Sequence, residues 1–404
     1  MKKLLSAALS FSVFALPAMA GQGSLNLSEA AADPLLESGL ENLYSLDFTE
    51  TQKDAREFVR RHPQNPLGPL FIAGTLWWQA TADLPGAGID QNVIAAFHAS
   101  VDATVEISKP LFKSEDISAR SDGYFAAGMA LGLQGQMRLT QGQYIRAYRS
   151  GKKAMKFLKK CVKTDPRYYD AYFGLGVFDY QVAVLPGAVR MGAKMLLKGT
   201  GNAERGLQRI RLSIDKGLFA SRQAAGFLLT LYVLNEKDYL KASDLAAKLR
   251  KDFPESSYFH FIETLLLHYQ GKDVESYNSG KELFDRMRLA PAKFRKKQAG
   301  TLCGLFGDAC YSEENLERAV KWLSMAVVAA GDDQKNKEWS AYLYFMRGLA
   351  FSLLGNAKSA RIDYNRASKL PDFAGTHAWA RHCAKQGCAE KDARLYLAGG
   401  SPKR

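Results

Sequence analysis

The chain has 404 residues, 47% of them hydrophobic, and 55 Lys and Arg against 41 Asp and Glu give it a formal net charge of +14. That apolar share is ordinary for a globular protein, and the length suffices for one long solenoid or two compact domains. No run of 18 apolar residues follows the N-terminus, which excludes a transmembrane helix from the mature chain.

Residues 1–20 read as a secretory signal. Lys2-Lys3 leads an apolar core from Leu4 to Leu16, and Ala18-Met19-Ala20 is a small-x-small cleavage site. Cleavage is expected after Ala20, which places the mature protein in the periplasm or outside the cell. The alternative is a buried first helix. No cysteine follows the site, so a lipid anchor is not expected. With Lys2 and Lys3 gone, the charge falls to about +12. An exported basic protein meets little nucleic acid. Anionic lipid head groups, lipopolysaccharide, peptidoglycan or an acidic protein fit it better, set against the plain alternative of a solvated basic surface.

Residues 21–33 form a small-residue leader. Residues 34–119 read as N-terminal helical repeats: a first pair over 34–62 with its turn near Phe48 and Thr49, an apolar helix over 66–82, and one or two helices over 90–113 ended by Pro110. Of the adjacent Trp77 and Trp78, one is expected in the core and the other partly exposed. Leu84-Pro85-Gly86-Ala87-Gly88 is a loop. A central block, 120–289, opens on small residues (Ala126, Ala127, Gly128, Ala130, Gly132, Gly135) that let helices approach closely.

Residues 152–180, KKAMKFLKKCVKTDPRYYDAYFGLGVFDY, are the most informative stretch. Ala154, Met155, Phe157, Leu158, Cys161 and Val162 fall at helical spacing on one face, with Lys152, Lys153, Lys156, Lys159, Lys160 and Lys163 on the other. Pro166 stops the helix, since it has no N–H and disfavours helical geometry in Asp165. A second helix is expected from about Tyr168. Gly176 lies inside it, where Gly costs roughly 1 kcal/mol relative to Ala, so a neighbouring helix should pass close by.

The same grammar recurs at Tyr344-x2-Arg347-Gly348-x2-Phe351, followed by Gly355, Ala360-x3-Tyr364, Ala367 and Pro371. Weaker copies run through Thr51, Ala55, Phe58 and Pro63; Ala154, Leu158 and Pro166; Ala242 and Pro254; and Gly307, Ala319, Leu323 and Ala326. The pattern resembles the tetratricopeptide repeat (TPR) family, whose unit of about 34 residues reads W-x2-L-G-x2-Y, A-x3-F, P. The copies are not spaced in whole repeats, so insertions are expected, above all near 182–205. The resemblance implies an all-α, right-handed α-solenoid of TPR-like helix pairs with insertions, C-terminal repeats over 290–372, and a capping helix and tail over 373–404. It also implies that first helices line a groove for a protein or peptide partner, with exposed groove positions Asp170, Phe173, Val177, Tyr180, Tyr342, Phe345, Leu349 and Ser352. The other reading of Phe173 and Phe345 is packing between repeats.

Segment 182–205, VAVLPGAVRMGAKMLLKGTGNAER, alternates Val189, Met191 and Met195–Leu197 with Arg190, Lys194 and Lys198. It is either an extra helix wedged between repeats or an element that touches a membrane or partner. Gly199-Thr200-Gly201 and Gly206 mimic a phosphate loop but follow no strand. A second basic cluster, Arg286 to Lys297, surrounds Pro291.

No catalytic or cofactor-binding pattern is present, so neither an enzyme nor a cofactor is expected. In an oxidising compartment Cys383 and Cys388 are the best disulfide candidates. The alternative is a zinc site built from His377, His382 and these two cysteines. Cys303 and Cys310 are about 10 Å apart along one helix, beyond the roughly 7 Å Cα limit of a disulfide, unless the helix breaks at Gly304 or Gly307. Cys161 reads as a buried free thiol, and His260 and His268 as packing or rim residues. The expected function is an exported, non-catalytic scaffold that binds a protein or peptide. The alternative is docking on anionic lipid or cell-wall polymer through the basic helix faces.

Overall fold

The computed structural model describes residues 29–30, 32–81, 91–184, 201–289, 307, 315–330, 337–372, 375–397 and 400–402. The signal region, the Leu84–Gly88 loop, most of the inserted segment including Gly199 and Thr200, the basic cluster from Lys293 to Lys297, and Cys303 and Cys310 lie outside these residues. Within them there are helices and no strands. In chain order they are α1 (Pro34–Tyr44), α2 (Phe48–Arg61), α3 (Leu67–Thr81), α4 (Gln91–Leu111), α5 (Ile117–Thr140) and α6 (Tyr144–Thr164). Then come α7 (Ala171–Val184), α8 (Ala203–Lys216), α9 (Ser221–Leu231), α10 (Tyr239–Asp252), α11 (Ser257–Tyr269) and α12 (Asp273–Leu289). The C-terminal group is α13 (Leu316–Ala330), α14 (Lys337–Leu353), α15 (Ala357–Ala367), α16 (Thr376–Gln386) and α17 (Glu390–Leu397).

Local chemistry explains many of the helix starts. The side chains of Asp33, Asp47, Asp116, Asn202, Asp238, Ser256 and Asn356 each accept an N–H from the first turn of the helix that follows. Helix α4 is continuous, with Pro110 in its last turn. Helix α6 begins at Tyr144, two turns before the expected start. Its buried residues Ala147, Ser150, Ala154, Met155, Leu158 and Cys161 keep one helical face throughout. Helix α7 starts at Ala171 rather than Tyr168, because turn hydrogen bonds from Tyr168 N–H to Asp165 (3.1 Å) and Ala171 N–H to Tyr168 (3.2 Å) intervene. A π-helical turn, Tyr232–Glu236, divides α9 from α10.

From α1 to α12 and from α13 to α16 each helix packs on its chain neighbours and, at α3–α5, α5–α7 and α14–α16, on the next but one. That pattern of nearest-neighbour contacts makes the chain an all-α solenoid. The return of α11 to α1 departs from it. There the Tyr44 ring lies 4.7 Å from Phe253, 5.2 Å from Phe259 and 5.7 Å from Trp78, centroid to centroid, and the Ser256 hydroxyl donates to the Tyr44 carbonyl. A single core consequently runs from Ala30 to Leu266, and a second from Ala319 to Tyr396. Trp77 and Trp78 are both half-buried, so neither matches a division into core and surface partners. Trp78 stands edge-on to both Tyr44 and Tyr258.

Two glycine contacts set helix spacing. A Cβ on Gly176 would stand 2.7 Å from the Gly206 carbonyl oxygen, and one on Gly206 would stand 2.8 Å from the Gly176 carbonyl oxygen. Helices α7 and α8 therefore meet backbone to backbone, so the two flanks of the inserted segment pair directly. In the C-terminal repeat, a Cβ on Gly348 would come within 2.7 Å of the Tyr364 ring. The Arg347 guanidinium binds buried Asp363 with two bonds, 2.7 and 2.8 Å.

Cys383 and Cys388 form a disulfide with their Cα atoms 4.9 Å apart, which removes both thiolates from the alternative zinc set. His377 meets the Leu370 carbonyl, and His382 packs against the Trp379 ring. Cys161 is free and buried, with burial first and then Asp122 pushing its thiol above the ordinary range. His260 is 2% exposed beside Arg250, and burial followed by that charge lowers it to about 4.

Candidate functional site

An opening of about 1410 Å³ lies among α4, α5, α6, α7 and α8. It exceeds the roughly 300–1,000 Å³ of typical small-molecule sites. Basic side chains dominate its walls. Helix α6 supplies Arg146, Arg149, Lys152, Lys153, Lys156 and Lys159, α5 supplies Arg138, and α8 supplies Arg205 and Arg209. The acidic lining residues are Asp102 and Glu106 of α4 and Asp179 of α7. Apolar groups are interleaved with them: Val105, Leu131, Met155, Phe178 and Val182.

The two walls are charged in different ways. On the α8 side, Asp179 is buried and holds two guanidinium groups. Arg205 binds it through two 2.9 Å hydrogen bonds, and Arg209 binds the same carboxylate. That hydrogen bond, followed by the charge of Asp179, raises the pKa of Arg205 further. Two fixed cations on one anion leave a positive surplus at a set position. On the α5 side, the Arg138 guanidinium donates to the Ser150 hydroxyl at 2.5 Å, and Ser150 donates in turn to Gln134 at 2.9 Å. Burial, and then repulsion from Arg146, lower the pKa of Arg138. His98 is lowered too, by burial and then by Arg138.

The six basic side chains that α6 contributes to the opening have no ion-pair partner among the described residues. Like charges three or four apart on a helix repel by roughly 0.2–0.5 kcal/mol per pair. Helix α6 carries several such pairs and no acidic residue of its own. Its charge pattern works against its own stability, and a bound anion would relieve it.

Lys152, Lys153, Lys156 and Lys159 of the expected basic face line the opening. Lys160 does not: its ammonium stands 5.3 Å over the Tyr124 ring. Lys163 is exposed in the last turn of α6, away from the lining. Five of the eight groove positions implied by the repeat resemblance are buried rather than exposed. Asp170 is 3% exposed and accepts the backbone N–H groups of Leu218, Phe219 and Ala220 at 3.1, 2.8 and 2.6 Å. Phe173, Tyr180, Phe345 and Leu349 are also buried, because they fall on faces that pack against the next helices. The Tyr180 hydroxyl reaches Glu236, and the Phe345 ring meets Tyr364 and Tyr396. Val177, Tyr342 and Ser352 are half-buried, and Ser352 shares a 2.9 Å hydrogen bond with the Tyr364 hydroxyl. None of the eight lines the opening.

The sequence reading missed Arg138, Arg146, Arg149, Arg205 and Arg209. Three of them had an available signal. No Asp or Glu stands between Asp122 and Asp165, and the basic period of α6 continues backwards through Arg149 and Arg146.

No family model matches the sequence, and no curated protein matches it. Solved structures of TPR proteins are similar to the chain. One is a tetratricopeptide repeat protein from Parabacteroides merdae, at 12% identity over 78% of this chain and 99% of that one, with a TM-score of 0.32. NprR in complex with its cognate peptide NprX is 12% identical over 90% and 95%, with a TM-score of 0.34. The TPR domain of P58(IPK) is 14% identical over 92% and 99%, with a TM-score of 0.26.

Proposed function

We propose that the protein is a non-catalytic helical-repeat scaffold that holds an extended acidic polypeptide segment in the α4–α8 opening. The observation that carries this reading is the run of cations on α6 with no ion-pair partner among the described residues, facing two further arginines that Asp179 fixes in place. The volume suits a chain segment better than a metabolite, and the apolar side chains between the charges suit the side chains of a polypeptide.

The test is a fluorescence anisotropy titration with a labelled peptide in which glutamates alternate with leucines, and a lysine–leucine peptide as control. The acidic peptide binds, weakening steeply with salt, and the basic one does not. The triple variant Lys152→Glu, Lys153→Glu, Lys156→Glu binds roughly a hundredfold more weakly, at about 1 kcal/mol per reversed charge. Equal affinity of the variant for the acidic peptide, or no binding at low salt, overturns the reading.

The proposal includes export. It rests on Lys2-Lys3, the apolar core and Ala18-Met19-Ala20. N-terminal sequencing of the protein from its native cells should begin at Gly21; a full-length product retained in the cytoplasm contradicts it.

A further inference from the structure

We infer that the end of the α5–α6–α7 group beside the opening docks on an anionic bilayer surface. This goes beyond the peptide reading and does not depend on it. Four apolar side chains stand out into solvent there: Leu139 is 38% exposed, Tyr144 69%, Ile145 71% and Val184 47%. Scattered exposed apolar residues are ordinary, but these share one end of the bundle. Gln136 of α5 donates to Gln181 of α7 at 2.7 Å, which sets the two helices in register. Leu139 and Val184 each follow that bond by three residues, about 4.5 Å along their helices. Tyr144 and Ile145 open α6 just across the short turn at Gly142, whose φ is 71°.

Charge selects the occupant. Arg146 and Arg149 follow Ile145 within about one helical turn, both exposed and without an ion-pair partner among the described residues. No acidic residue interrupts the sequence on either side of the turn, from Gly123 to Thr164. Apolar side chains beside two exposed cations gain twice at an anionic bilayer. The apolar groups enter the acyl boundary, and the cations meet lipid phosphates; a tyrosine suits the level between them. A dry protein interface would bury Arg146 and Arg149 and require a carboxylate for each.

The test is co-sedimentation of the full protein with vesicles of phosphatidylglycerol and phosphatidylcholine in equal parts, and of phosphatidylcholine alone. The acidic-peptide titration is run alongside. The wild type binds the mixed vesicles and not the neutral ones. The variant Leu139→Ser, Tyr144→Ser, Ile145→Ser retains its helical circular dichroism and its acidic-peptide affinity. Its vesicle binding falls by about tenfold or more. Wild-type protein left in the supernatant of mixed vesicles overturns the inference, as does a triple variant that binds them undiminished. So does a dimer, seen by light scattering, that the triple variant abolishes, since a second copy would then cover these side chains. Failure of the peptide titration alone leaves the vesicle result standing and counts only against the scaffold reading.

Discussion

Asp170→Ala is expected to lower the unfolding free energy by about 3 kcal/mol or more, because a buried charge acceptor disappears from beneath three backbone donors. Those donors, Leu218, Phe219 and Ala220, lead into α9. Helix α9 has Ala220 at its N-cap position and no side-chain cap hydrogen bond of its own. Asp170, 48 to 50 residues earlier in the chain, ties down the three residues that enter it, and its carboxylate lies beside the positive end of the helix dipole. Burial raises the carboxyl above its ordinary range, and the amides oppose that rise. Asp170→Asn keeps an acceptor oxygen without the charge and should lose about half as much. Denaturant titrations followed by helical circular dichroism would show both. An Ala variant within about 0.5 kcal/mol of wild type, the usual spread of a surface substitution, would return Asp170 to the status of a groove residue.

The second large effect is expected at Gly176→Ala. Ala is the better helix former by roughly 1 kcal/mol, so propensity alone predicts stabilisation. Packing predicts the reverse. The new Cβ would lie 2.7 Å from the Gly206 carbonyl oxygen and 3.0 Å from the Ile210 nitrogen. Both are backbone atoms, so a rotamer change cannot relieve the contact and the helices must part. Overpacking of this kind costs about 1–3 kcal/mol and occasionally more, so a net loss near 2 kcal/mol is expected. Acidic-peptide affinity should fall with it, because Arg205 and Arg209 ride on α8 and would be drawn off Asp179. The double variant Gly176→Ala, Gly206→Ala should lose less than the sum of the singles, since both relieve the same contact by the same separation. A stabilised Gly176→Ala variant would mean that α7 and α8 are not in backbone contact.

The two cases show what the sequence carried and what it did not. The break at Pro166, the buried face of α6 and its lysine face are local patterns, written in a helical period and one proline, and the chain folds that way. The close approach at Gly176 was legible for the same reason: a glycine in a helix interior needs a cause. The purpose of Asp170 was not legible, because its partners lie beyond the inserted segment and are backbone amides that no residue type announces. Five of the eight transferred groove positions are buried rather than exposed, for a related reason. Irregular spacing between repeats shifts which helix faces meet, and Phe173, Tyr180, Phe345 and Leu349 turned inward. The far wall of the opening depends on Arg205 and Arg209 meeting Asp179, a pairing of 26 to 30 residues made only when α7 and α8 close on each other. The return of α11 to α1 has no trace in the repeat pattern, since a repeat describes each unit only against its neighbours.

The most direct test of a polyanion-binding opening is a lysine-reactivity footprint. The protein is acetylated briefly with and without the glutamate–leucine peptide, and each lysine is quantified by mass spectrometry. Protection concentrated at Lys152, Lys153, Lys156 and Lys159, with Lys358, Lys385 and Lys391 unchanged, is the predicted result. Uniform protection across all exposed lysines, or protection that avoids α6, would contradict it.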